Sequence, residues 1–82
     1  MITSIWIGKN GNIFTIRGAY ENGVETSIAV LYDRGIAILI RNTLLRAMGI
    51  RKVDPRDVVG QEEALISQLK GKPRKSRAVE NE

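Results

Sequence analysis

The stretch from Val24 to Ile40 constrains this chain more than any other, because it is the most apolar and β-branched run in the sequence. Ile28, Val30 and Tyr32 alternate with Ala29 and Leu31, and after Asp33-Arg34-Gly35 the run Ile36 to Ile40 has no polar side chain on either parity. A strand that is apolar on both faces has to be covered on both. Asp33-Arg34-Gly35 suits a three-residue loop with glycine in the left-handed position, which would return Ile36 to Ile40 as a strand. A helix from Asp33 to Met48 is the competing reading, since the Ile, Leu and Ala content also permits it.

Two Asn-Gly pairs place the other strands. Ile2 to Gly8 and Asn12 to Gly18 flank Asn10-Gly11, and a type I′ hairpin turn needs positive φ at both central residues, which Asn and Gly supply. Centred there, the turn sets Ile7 opposite Phe14 and Ile5 opposite Ile16. Asn22-Gly23 predicts a second hairpin with Leu31 opposite Phe14 and Ala29 opposite Ile16. The inner face then carries Ile5, Ile7, Phe14, Ile16, Ala29, Leu31, Ala37 and Leu39. The outer face carries Trp6, Ile13, Thr15, Arg17, Ile28, Val30, Tyr32, Ile36, Ile38 and Ile40.

Asn42 can cap a short helix that ends at Gly49. Asp54-Pro55 reads as N-cap and first residue of a longer helix, with Val58, Val59, Leu65, Ile66 and Leu69 on one stripe and Gly71 as its end. From Gly71 onward periodicity vanishes and a mobile basic tail is expected. The fold class is therefore α+β: a three- or four-stranded antiparallel meander, one short and one longer helix, and a disordered basic tail. Residues 1–70 form one domain and residues 71–82 the tail.

With 82 residues, no Cys and no His, the chain has neither disulfides nor good zinc ligands to support a small core. Oligomerisation is the remaining support, so a second copy is an expected partner. No basic n-region precedes an apolar stretch, and no run approaches ~18 apolar residues, so neither a signal peptide nor a membrane span is expected and the cytoplasm is the expected location. The abundance of Ile and the scarcity of Gln and Cys lean toward a thermophile.

Catalysis finds little to work with. Without His or Cys, candidates for base and nucleophile are carboxylates, hydroxyls and Lys. Asp33, Asp54 and Asp57 read as turn or cap residues, and Glu62-Glu63 as the polar side of a helix. No metal-ligand spacing occurs. The chain is read as a non-enzyme, without cofactor, metal or small-molecule substrate.

The net charge of +4 lies entirely after residue 40, in Arg41, Arg46, Arg51 and Lys52 and then in Lys70, Lys72, Arg74, Lys75 and Arg77. Such asymmetry points to nucleic acid. Spread around a helix, 41, 46 and 51 favour phosphate contact over base readout. Trp6 and Arg17 on neighbouring strands of the outer face, with Tyr32 on a third, suit a single strand: bases stack on aromatics while cations take phosphates. Phe14 is a further stacking candidate, although it falls on the core face. The expected nucleic-acid contacts are Trp6, Phe14, Arg17, Tyr32, Arg41, Arg46, Arg51, Lys52, Lys72, Arg74 and Lys75. The alternatives are an interaction subunit docking through the apolar outer face, where Trp6 and Tyr32 would form a dimer core, and a duplex-binding regulator or chromatin protein using the tail.

Ile7-Gly8-Lys9-Asn10-Gly11 resembles the Ile-Gly-x-x-Gly loop of KH domains, but strands rather than helices flank it, so the hairpin reading takes precedence. In layout the chain is similar to the ThermoDBP-type single-stranded DNA-binding proteins of archaea: a small basic chain, an antiparallel sheet with one Trp and one Phe, then helices. The resemblance implies oligomers that hold single-stranded DNA without sequence preference in a cleft or tunnel.

Overall fold

The computed structural model describes the backbone of residues 1–76 and the side chains of residues 1–69. It is an α+β fold of order β1 (Ile2–Asn10), β2 (Ile13–Tyr20), β3 (Glu25–Leu31), α1 (Arg34–Met48) and α2 (Val58–Ser76). The strands form one antiparallel sheet in the order β1-β2-β3.

The first hairpin turns one residue later than its Asn-Gly pair predicts. Asn10 pairs with Ile13, so Gly11-Asn12 form the turn, with Gly11 at φ +62°. Ile7 consequently faces Ile16, Ile5 faces Gly18 and Lys9 faces Phe14. Each partner moves by two residues, which changes neighbours and leaves every side chain on its predicted face. The second hairpin has the expected pairs Phe14–Leu31 and Ile16–Ala29, after which a bulge between Ile16 and Arg17 brings Arg17 opposite Ser27. A Cβ added to Gly18 would lie 3.2 Å from side-chain atoms of both Ile2 and Ile28, so this glycine is the floor on which those two side chains rest.

The predicted fourth strand does not form, and the competing helix does. The Asp33 carboxylate accepts the Ile36 N–H at 2.8 Å and its carbonyl accepts the Ala37 N–H, which starts α1 eight residues before Asn42 and makes it fifteen residues long. Ala37, Arg41 and Leu45 recur at i, i+4 and i+8 on the buried side. Leu39, expected in the core, faces out, while Ile38 and Ile40 pack against the core from the helix. Gly49 ends the helix at φ +69°, its N–H reaching the Arg46 carbonyl and that of Ile50 the Leu45 carbonyl.

Helix α1 covers the inner sheet face. Ile5, Ile7 and Ile16 are fully buried there with Phe14, Ala37, Leu45 and Val59, each large aliphatic side chain contributing about 1.5 to 3 kcal/mol. The start of α2 then wraps the open edge of β1. Asp54 to Asp57 form a turn, with the Asp57 N–H on the Asp54 carbonyl and the Arg56 N–H on the Asp54 carboxylate. Asp57, rather than Asp54, is the N-cap: its Oδ1 accepts the Gly60 N–H at 2.8 Å. Pro55 accordingly sits in that turn and not at the first helical position. Gly71 does not stop α2, which continues to Ser76; glycine within a helix costs about 1 kcal/mol but does not forbid it.

Candidate nucleic-acid interface

Three residues at the wrap serve three surfaces. Val59 enters the inner core, Asp57 reaches the edge of β1, and Arg56 turns onto the outer face. The Asp57 carboxylate is fully buried and accepts from the Ile7 N–H at 2.9 Å, the Arg41 Nη1 at 2.8 Å and the Gly60 N–H. Asn42, in turn, accepts from the Nε and Nη2 of Arg41. Arg41 is 5% exposed, so this predicted phosphate contact is a structural cation that joins α1 to α2 and β1.

Trp6 is occupied in a similar way. Its ring is 4% exposed, with the Arg56 guanidinium stacked 3.7 Å from the ring centroid. Arg56 pairs with Asp54 and Glu25, and Glu25 also takes Arg17, whose Nη1 donates to Ser27. The hydrogen bonds from Arg56 hold the Asp54 carboxyl below the usual carboxylate range. Trp6 and Arg17 therefore stand side by side as the register requires, but as the covered and neutralised part of the outer face. Phe14 is buried in the core with Lys9 over its ring at 5.7 Å.

Of the remaining expected contacts, Tyr32 is 77% exposed, just before α1. Arg46, Arg51 and Lys52 are exposed at the other end of that helix and have no carboxylate partner among the described residues. Twelve residues of helix, about 18 Å, separate the first residue of α1, Arg34, from Arg46. The side chains of Lys72, Arg74 and Lys75 lie outside the described residues.

One feature was announced by no sequence signal. A cleft of about 430 Å³ is lined by Met1, Ile2, Tyr20, Ala47 and Met48. Tyr20 ends β2, where its backbone closes the second turn through Val24 and Gly23, and its ring is partly exposed. Ala47 and Met48 follow Arg46 in the last turn of α1, and Arg51 and Lys52 follow the reversal at Gly49. An apolar cleft of this size, walled by one tyrosine, can take a planar ring, and Arg46 adjoins two of its lining residues in sequence. Tyr20 was missed because periodicity marks it only as a strand end; the helix terminus that completes its cleft is brought there by tertiary packing.

Among the described residues no cluster of potential metal ligands occurs, and no helix is long and apolar enough to cross a membrane. Compared with known proteins, the chain matches no family model, no curated protein and no solved structure. The layout resemblance to the archaeal single-stranded DNA-binding proteins thus gains no support from those comparisons.

Proposed function

We propose that this chain is a non-enzymatic, largely sequence-independent binding module for single-stranded nucleic acid that works as a homo-oligomer. The observation that carries the reading is that Arg46, Arg51 and Lys52, exposed and without a carboxylate partner among the described residues, flank in sequence the α1 terminus whose Ala47 and Met48 line the Tyr20 cleft. Among the described residues, Arg17, Arg34, Arg41 and Arg56 are each held by a carboxylate, which leaves Arg46, Arg51 and Lys52 as the arginines and lysine after residue 40 without one. On this reading they meet phosphates while an unstacked base enters the cleft against Tyr20. Single strands are favoured over duplex on two grounds. Bases inside a duplex cannot leave the stack at low cost, and Arg46, Arg51 and Lys52 lie on a helix end and a loop rather than along one helix face.

The test is fluorescence anisotropy of a labelled oligo-dT and a matched duplex at several salt concentrations. Each phosphate contact on a single strand adds about 0.7 to the slope of log K against log salt, so the triple variant R46A/R51A/K52A is expected to flatten it by about 2. Tyr20→Leu, which keeps the apolar wall, is expected to weaken oligo-dT binding by about 1 to 3 kcal/mol and to leave duplex binding unchanged. Equal affinity for both nucleic acids, with no response to either variant, removes the reading.

A second reading has its own observation. Val30 on β3 and Tyr32, which lies in the bend after β3 rather than on the strand expected for it, are 61% and 77% exposed, and β3 is an edge strand of the sheet. Exposed apolar side chains at an unpaired edge suit a docking protein. If Tyr32→Ala abolishes an interaction with a protein and leaves oligo-dT binding intact, this face serves a partner rather than nucleic acid.

A further inference from the structure

Helix α2 leaves the domain after its first turn. Val59 is fully buried and Val58 and Gly60 are half-buried, but every residue from Gln61 to Leu69 is exposed. That stretch still carries an apolar stripe, with Leu65, Ile66 and Leu69 exposed by 58%, 49% and 60%. Among the described residues its side-chain polar ties back to the domain are the exposed ion pair of Glu62 with Arg34 at 3.2 Å and the exposed hydrogen bond from Gln61 Nε2 to the Pro55 carbonyl at 2.8 Å, and exposed ion pairs are worth about 0 to 1 kcal/mol. A helix of this length is marginal in water on propensity alone, and most helical stability comes from packing an apolar face. Among the described residues of α2, the fold supplies that packing only for the first turn.

We propose that a second copy of this chain covers the stripe, by antiparallel pairing of α2 with α2. Charge complementarity selects both the occupant and the direction. The exposed stretch begins with Glu62 and Glu63 and has no cation before Lys70, while Lys70, Lys72, Arg74 and Lys75 all fall in the second half of the same helix. Antiparallel pairing about a two-fold axis near Ile66 sets Glu62 of each copy level with Lys70 of the other, and parallel pairing sets like against like. With the two-fold axis near Ile66, the stripe residues Leu65, Ile66 and Leu69 of both copies meet at the centre. The stripe shares no residue with the Tyr20 cleft, so it gives the oligomer a specific interface without depending on the nucleic-acid reading.

The absence of cysteine makes the arrangement testable by disulfide trapping combined with sedimentation equilibrium, on the full chain without nucleic acid. In an antiparallel pair centred near Ile66, two copies of Ile66→Cys approach closely, whereas two copies of Glu62→Cys, on the same side of the helix, are about 12 Å apart along the axis. A disulfide requires Cα atoms within about 7 Å. The expected result is a dimer that I66C traps on mild oxidation and E62C does not, and that L65S/L69S converts to a monomer with an unchanged circular dichroism spectrum of the sheet. Wild-type protein that stays monomeric at 100 micromolar (about the upper end of routine sedimentation work, well above the Kd of a specific dimer) overturns the proposal. So does a dimer in which E62C traps as well as I66C, which is the parallel arrangement, or a dimer that L65S/L69S leaves intact.

Discussion

The buried carboxylate of Asp57 is the point where the fold is most exposed to a single substitution. Asp57→Asn keeps the size of the side chain and removes its charge, leaving the Arg41 guanidinium buried without a counter-charge. Breaking a buried pair in this way costs about 3 to 5 kcal/mol. The amide also cannot serve all three donors, because its NH2 must face at least one of the Ile7 N–H, Gly60 N–H or Arg41 groups that the carboxylate now accepts. A domain of this size has a total stability near the lower end of about 5 to 15 kcal/mol, so the variant should be at the edge of folding. The expected loss corresponds to a fall in Tm of roughly 12 to 24 °C, taking about 4 to 8 °C per kcal/mol and a 3 kcal/mol cost. Arg41→Met combined with Asp57→Asn removes both charges and should be less destabilised than Asp57→Asn alone. Urea unfolding followed by circular dichroism and by Trp6 fluorescence measures all three variants. A cost below 1 kcal/mol for Asp57→Asn, or strict additivity in the double variant, refutes the account of Asp57 as the clasp between β1, α1 and α2.

Two further outcomes are expected. Trp6→Ala should destabilise the domain by about 3 to 5 kcal/mol, as for other buried aromatics, whereas Tyr32→Ala should stay within about 0.5 kcal/mol of wild type; thermal melts of the two variants separate these roles. The Asp54 carboxyl titrates below its ordinary value because Arg56 hydrogen-bonds its charged form, so its contribution is complete above about pH 4 and is lost as pH falls through the depressed folded value. A Tm series between neutral pH and acid should therefore show a steeper acid loss in wild type than in Asp54→Asn, and identical slopes would remove Asp54 from the acid response.

Local periodicity and turn chemistry made the three-stranded meander, its inner and outer faces, the Gly49 stop and the apolar stripe of α2 legible in the sequence. The pairing of Phe14 with Leu31 and of Ile16 with Ala29 follows from alternation, which is a property of the chain itself. The run Ile36 to Ile40 was ambiguous for a physical reason. A segment apolar on every side carries no period, so the Asp33 cap and the open inner sheet face decided for helix. The same limit governs the site. Sequence placed Trp6 and Arg17 on neighbouring strands of one face, and the structure agrees. It could not reveal that Arg56 closes over Trp6, or that Asp57 draws Arg41 inside. Nor could it show that Tyr20 meets the end of α1. Arg41, Arg46, Arg51 and Arg56 carry the same side chain in one short stretch, and only tertiary packing separates the two held by carboxylates from the two left facing solvent. Charge and periodicity are written along the chain, whereas desolvation depends on which distant residues close over a group, and that is settled only when the elements pack.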